Sequence, residues 1–199
     1  MAPLIVYYVR HGETDWNVAG RLQGRRDVSL NARGRAQANR CGDILRELFE
    51  SAGRNPHDLD YVSSPLGRAC ETMELMRSTL GLPLNGYRVE PRLAEISFGD
   101  WEGLTIAQLH TRDPQRIAAR EQDKWRFVPP GGESYETVSG RVSEWFDSLT
   151  RDTVAVAHGG TARGLLAHLG IAQPAAAPLV DIAQGVVYVF EGKRMRCLA

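Results

Sequence analysis

Lysine is almost missing from this chain: of its 24 basic residues only Lys124 and Lys193 are lysine, and the rest are arginine. Net charge is missing as well, because 24 acidic residues leave a formal charge of zero. That balance excludes the broad positive surface by which a protein selects nucleic acid or an anionic membrane, so any positive potential has to be local. Cysteine is scarce. Cys41, Cys70 and Cys197 are odd in number and lack metal-ligand spacing, which argues against a disulfide framework and for a reducing compartment, with each thiol read as a small buried apolar residue. No apolar run approaches membrane-spanning length, and a first strand that starts by Leu4 leaves no room for a cleavable signal peptide. There is no H-E-x-x-H pair, no Walker loop and no Cys/His cluster. The expectation is a cytoplasmic protein, with no metal, no cofactor, no nucleic-acid partner and no membrane.

What is present is enough apolar material for one domain: 199 residues, 43% of them hydrophobic. Leu4 to Val9 and Thr153 to Ala157 read as central strands covered on both faces, and both run into a histidine followed by glycine. Asn31 caps a helix reaching about Ser51, Leu59 to Ser63 is a second strand, and Ser64 with Pro65 opens a helix to about Leu80. Further helices are expected from Ser134 and from Gly160 to about Leu169, and a terminal hairpin from Val186 to Phe190 and Arg194 to Leu198. Alternating helices and buried strands predict an α/β sandwich around a mostly parallel sheet, as one domain over 1–199. The stretch of about 101–130, with short helices near Thr105 and Pro114, is read as an insertion over the site. An edge strand near the C-terminus leaves monomer and homodimer both open.

Four motifs fall at the strand ends or helix starts where ligands bind in open α/β sheets: Y-Y-V-R-H-G-E-T-D-W-N from Tyr7, S-S-P-L-G-R-A-C-E-T from Ser63, L-A-E-I-S-F-G-D-W-E-G from Leu93, and V-A-H-G-G-T-A-R from Val156. The His11 imidazole is a competent nucleophile near neutral pH, and Arg10 beside it is a charged fork suited to phosphate oxygens. Arg68, placed one turn into the helix from Ser64, adds its charge to that of the helix dipole, and His158 leaves its strand into glycines that let backbone N–H groups approach an anion.

In combination these motifs resemble those of the histidine phosphatase superfamily, which includes the cofactor-dependent phosphoglycerate mutases, over nearly the whole chain. The resemblance implies a phosphoglycerate mutase-like three-layer α/β/α sandwich. It implies that His11 is phosphorylated on a ring nitrogen, that Arg10, Arg68 and His158 form the phosphate pocket, that Asn17 contacts phosphate, that Gln23 and Gly24 line the substrate side, and that the Gly159 amide assists. Glu95 matches the family's proton donor, although Glu13, Asp100 and Glu102 are acidic rivals on nearby loops. The chemistry needs such a donor, since expulsion of an unprotonated alkoxide is unfavourable and the phosphohistidine must then be attacked by a deprotonated water.

The segment E-I-S-F-G-D-W-E-G is similar to the phosphatase branch, where phosphoglycerate mutases carry an E-R-H-Y-G type. The reading is therefore a metal-independent phosphomonoesterase acting on a small phosphorylated metabolite. The alternatives are a phosphoglycerate mutase and a catalytically silent phospholigand binder. Specificity is expected from 16–26 and 98–130, with Arg21, Arg25 and Arg26 favouring a second anionic group. Trp16, Phe98, Trp101 and Trp125 serve either as an apolar wall for substrate or as ordinary core aromatics.

Overall fold

Side-chain alternation along one strand sorts the core. In the computed structural model, which describes residues 4–199, β1 (Ile5–Arg10) sends Val6 and Tyr8 to one face of the sheet and Tyr7 and Val9 to the other, all four buried. The first three residues of the expected domain lie outside the described residues. β2 (Asp60–Ser63) and β4 (Thr153–Ala157) repeat the division, with Val62, Ala155 and Ala157 on the Tyr8 face and Tyr61, Val154 and Val156 on the Tyr7 face. Strands buried on both faces need helices on both sides.

On the Tyr7 face lie α2 (Ala32–Ser51), through Cys41, Leu45 and Phe49, and α3 (Gly67–Thr79), through Ala69, Met73 and Met76. The Tyr8 face is covered by α6 (Tyr135–Asp147), through Val138, Val142 and Trp145, and by α7 (Gly159–His168), through Ala162, Leu165 and Leu166. Truncating the fully buried Trp145 to alanine would cost about 3–5 kcal/mol. Six strands run in the order β3-β2-β4-β1-β5-β6, where β3 is Arg88–Val89, β5 Val187–Glu191 and β6 Arg194–Leu198. The first four are parallel, and β5 and β6 join as an antiparallel hairpin. This is the expected three-layer α/β/α sandwich with a mostly parallel sheet.

The registers matter most for function. Arg10 pairs with Ala157 and Ser63 with Val156, so the carboxyl ends of β1, β4 and β2 finish side by side. The short α1 (Asp15–Val18), α4 (Ile106–Arg112) and α5 (Pro114–Gln122) lie outside the main layers. Trp101, Leu109 and Ile117 form a small core of their own, against which Leu22, Phe98 and Phe127 pack.

Two expectations need correction. The helix after Ser64 starts at Gly67, with Leu66 at a cap position that no side chain serves, because the Ser64 hydroxyl is engaged elsewhere. Of the three cysteines only Cys41 is buried; Cys70 is half-buried and Cys197 exposed, and all three are unpaired. Of the two roles left open for the aromatics, Trp101 and Trp125 take that of core residues.

Candidate active site

β1 delivers His11 through its last ladder bond, in which the His11 N–H donates to the Ala157 carbonyl at 2.9 Å. The chain then turns at Gly12, where a Cβ would collide with the Gly34 backbone, and the Gly12 N–H donates to Thr72 Oγ1 at 3.1 Å. The imidazole is 2% exposed. Its Nδ1 lies 2.7 Å from the Gly12 carbonyl, which can only accept, so the proton sits on Nδ1 and the Nε2 lone pair is left for chemistry. Burial, followed by the charges of Arg68 and Arg10, holds this imidazole well below the ordinary histidine range. His11 is thus a neutral base and nucleophile at neutral pH.

Arg68 is the second residue of α3 and is 1% exposed. Its Nε–H donates to His11 Nε2 at 3.2 Å, Nη1 to the Arg26 carbonyl at 2.6 Å and Nη2 to the Gly24 carbonyl at 2.8 Å. Arg10 is anchored through Nη1 on the Ile182 carbonyl at 2.6 Å, while its buried Nε–H has no partner among the described residues. Burial lowers both guanidinium pKa values, but a guanidinium stays protonated in a protein.

His158 stands at the N-cap of α7, its ring centroid 5.1 Å from that of His11. Its backbone is fixed from the sheet: the Tyr8 hydroxyl donates to the His158 carbonyl at 2.6 Å and accepts from the His158 N–H at 3.0 Å. Its Nε2 meets Ser64 Oγ at 2.6 Å, and that hydroxyl also accepts from the Leu66 N–H at 3.3 Å. The serine proton therefore goes to Nε2, which puts the histidine's own proton on Nδ1, a second buried N–H with no partner. Burial and Arg68 push this imidazole down as well. Two orphaned buried donors beside a nucleophile are a costly arrangement unless an oxyanion completes it.

A cavity of about 130 Å³ opens over this cluster. Arg10, His11, Asn17, Gln23, Gly24, Arg68, Glu95 and Gly159 all line it; His158 lies just beneath the lining. Of the four rival acids, Glu95 is the one among the lining residues. Its Oε1 accepts from the Ile96 N–H at 2.9 Å and from the Gly160 N–H at 3.0 Å, at the N-terminus of α7, where a Cβ on residue 160 would occupy the carboxylate's place. Glu102 is a strut: Oε1 accepts from the Arg25 N–H at 3.0 Å and the Phe98 N–H at 3.2 Å, and Oε2 faces Arg26 Nε at 3.6 Å. Glu13 is tied to Asn31 and Arg33, and Asp100 lies on a different cavity. Glycine at 159 keeps space open, since a Cβ there would stand 3.7 Å from Arg10 Nε and 3.4 Å from Arg163 Nη1.

Asn17 is oriented by three donors on its Oδ1: the Thr14 N–H, the Thr14 hydroxyl and Gln184 Nε2 at 3.0 Å. Gln184 also donates to the His11 carbonyl at 3.0 Å. Sequence reasoning missed Gln184, Ser64 as a partner of His158, and the cavity residues Tyr135 and Arg163. Arg163 closes the V-A-H-G-G-T-A-R motif one turn after Gly159, which was the available signal; Gln184 and Tyr135 have none. Residues 101–130, expected over the site, contribute nothing to the lining, and they brace it from behind through Leu22 and Phe98. Arg21 lines the cavity, but Arg25 and Arg26 are bound to Glu133 and Glu102. Among the described residues no three His, Cys, Asp or Glu side chains are grouped to hold a metal ion, and no helix is long and apolar enough to cross a membrane.

Fold and site together define an α/β sandwich with unpartnered buried donors gathered around a neutral histidine. The chain belongs to the histidine phosphatase superfamily (branch 1), whose profile matches residues 6–198. It is 39% identical over 175 residues to a glucosyl-3-phosphoglycerate phosphatase of Mycobacterium tuberculosis, covering 81% of this chain and 73% of that protein. It is 30% identical over 199 residues to a 2,3-bisphosphoglycerate-dependent phosphoglycerate mutase of Cytophaga hutchinsonii, covering 94% and 87%. Among solved structures, the alpha-ribazole phosphatase from Shigella flexneri superposes with a TM-score of 0.79 at 28% identity, covering 98% of this chain and 96% of that one.

Proposed function

We propose that this protein is a metal-independent phosphomonoesterase that acts on a small phosphorylated metabolite through a phosphohistidine at His11. The observation that carries the reading is the neutral His11, its Nε2 lone pair facing Arg68 and flanked by the unpartnered N–H groups of Arg10 and His158. When a phosphomonoester enters, the Arg68 Nε–H turns from His11 to a phosphate oxygen, and the two orphaned donors take others. Those donors bind the extra negative charge on the phosphoryl oxygens as the bond to Nε2 forms. The ester P–O bond breaks, and Glu95, carrying a proton on Oε2, passes it to the leaving alcohol oxygen. The resulting carboxylate then takes a proton from water, the water oxygen attacks phosphorus, and the N–P bond breaks to release phosphate and restore His11. The same residues can run a mutase's first half-reaction, and the Cytophaga relative bears a mutase name. The two relatives with phosphatase names, and the E-I-S-F-G-D-W-E-G segment that carries Glu95, favour hydrolysis. Three unpaired cysteines favour a cytoplasmic setting.

The test is phosphate release from a panel of phosphomonoesters with EDTA present, including 3-phosphoglycerate with a 2-phosphoglycerate readout. Release many times in excess of enzyme is expected, reduced about 10⁴-fold or more in His11→Ala, the scale seen when a nucleophile is removed. Interconversion of the phosphoglycerates without net release would replace this reading with the mutase.

A further inference from the structure

Residues 180–184, which lead towards β5, are joined to the site along their length. The Val180 carbonyl accepts from Arg163 Nε at 2.9 Å and the Ile182 carbonyl from Arg10 Nη1 at 2.6 Å. Gln184 Nε2 donates to the His11 carbonyl and to Asn17 Oδ1, each at 3.0 Å. The segment is itself held in place. Ile182 is buried in the core on the Tyr8 face, the Ala183 N–H donates to the Tyr188 hydroxyl at 2.6 Å, and Tyr188 lies opposite Tyr8 in the ladder between β5 and β1. Gly185, at φ +73°, packs so closely on α2 that a Cβ would stand 3.1 Å from Gln37 Cγ, and Gln37 Oε1 in turn accepts the Glu13 N–H at 2.8 Å.

Donor and acceptor chemistry allows these contacts one polarity. The His11 carbonyl can only accept, so the Gln184 atom facing it is the amide nitrogen, and Asn17 must meet that same nitrogen with its oxygen. The Thr14 N–H, which can only donate, requires oxygen there too. Asn17 Nδ2 is therefore turned the other way; it makes no hydrogen bond among the described residues, and Asn17 lines the catalytic cavity. The helix that carries Asn17 cannot secure this alone, because α1 spans only Asp15–Val18 and a single turn gains little from its own hydrogen bonds. We infer that Gln184 is a positioning residue for the phosphate pocket: by donating to the His11 carbonyl and to Asn17 Oδ1 together, it aims the Asn17 Nδ2–H groups at the phosphoryl oxygens and ties them to the backbone of the nucleophile. The inference rests on the phosphomonoesterase reading and adds to it a residue that acts through Asn17 without touching the substrate.

Calorimetric titration with orthophosphate tests it on the unmodified protein, Gln184→Met, Asn17→Ala and the double variant, with circular dichroism confirming that each is folded. Gln184→Met keeps the length of the side chain and removes its donors, and is expected to weaken orthophosphate about tenfold, the scale of one hydrogen bond to an anion. Asn17→Ala weakens it by a similar factor. The double variant should bind no more weakly than Asn17→Ala alone, because Gln184 has then lost the group through which it acts. Gln184→Glu, of the same shape but with acceptors where the donors stood, is an independent second variant and should weaken orthophosphate more than Gln184→Met. Unchanged affinity in both Gln184 variants, effects of Gln184→Met and Asn17→Ala that simply add, or no orthophosphate bound by the unmodified protein each overturn the inference. A residue that only staples the segment would lower the melting temperature without this coupling. Turnover is followed separately: for the preferred ester, Gln184→Met should raise KM about tenfold with kcat changed less than threefold. Hydrolysis with KM and orthophosphate affinity both unmoved removes the role of Gln184 alone, whereas coupled orthophosphate binding without hydrolysis of any ester removes the phosphomonoesterase reading and leaves that role standing.

Discussion

The two walls of the cavity carry the same kind of residue and use it in opposite ways. Along residues 24–26, arginine is a building material: Arg25 and Arg26 are clamped by Glu133 and Glu102, and Glu102 also holds the backbone N–H groups of Arg25 and Phe98. That wall ends in the Gly24 and Arg26 carbonyls that fix Arg68, so its rigidity is passed to the catalytic floor. Gly24, at φ +54° and with Glu102 filling the space of a Cβ, shows how closely the carboxylate is fitted there. On the opposite side Arg163 of α7 lines the cavity with no acid partner among the described residues, held through Nε by the Val180 carbonyl, and stays available to a ligand. A net-neutral chain thus obtains a positive cavity by choosing which cations to pair.

The strongest way to break this contrast is to reverse the charge of the unpaired wall. Arg163→Glu should lower kcat/KM for the preferred phosphomonoester by about 100-fold or more, since a charged hydrogen-bonded contact is worth about 1.5–3 kcal/mol and a repulsion replaces it. Steady-state kinetics on the best phosphomonoester of the panel measures this, and a change under threefold would mean that Arg163 faces no anion.

Removing the clamp from the paired wall should act on stability first. Glu102→Gln keeps the shape but loses the charge on which two N–H groups and a guanidinium converge, at an expected cost of about 1–3 kcal/mol in chemical denaturation. A loss in kcat with unchanged stability would instead make Glu102 part of the chemistry.

The smallest effect concerns pH and sharpens the contrast. With Lys124 lowered from its ordinary value to about 8, the unfolded chain holds more protons than the folded one between about pH 8 and 10.5. Stability relative to Lys124→Met should therefore rise with pH across that window, by an amount reduced by solvent at this half-exposed site. Thermal melts of the two proteins from pH 7 to 10 check the sign. A relative stability that fell with pH would place an acid beside Lys124 in solution.

Much of the floor of the site was legible in the sequence. The runs ending at His11 and His158 are strands because they are continuously apolar, and glycine after each histidine marks where the backbone must come close. Asn31 caps its helix as expected, and Ser134, where a helix was expected to start, caps its own; each side chain accepts an N–H three residues on. Ser64 was misread because the same hydroxyl that could cap a helix is taken by His158, 94 residues away, and local pattern cannot choose between them. Arg88–Val89 has no periodicity to announce a strand; it pairs only because β2 lies beside it. The walls were the least legible part. Arg25 and Arg26 looked like anion-binding residues until Glu102 and Glu133 were brought to them from distant loops. Arg163 stood in a motif, but that it is left without an acid is decided only by tertiary structure.

The central claim is that His11 itself becomes phosphorylated during hydrolysis. Rapid quenching of the working protein into alkali, followed by peptide mass spectrometry, measures it directly. The account predicts one phosphoryl group on the peptide containing His11, stable in alkali, lost in acid, and longer-lived in Glu95→Gln, where water is no longer deprotonated. Phosphate released at full rate with no label on His11, or a label on another residue, would contradict it.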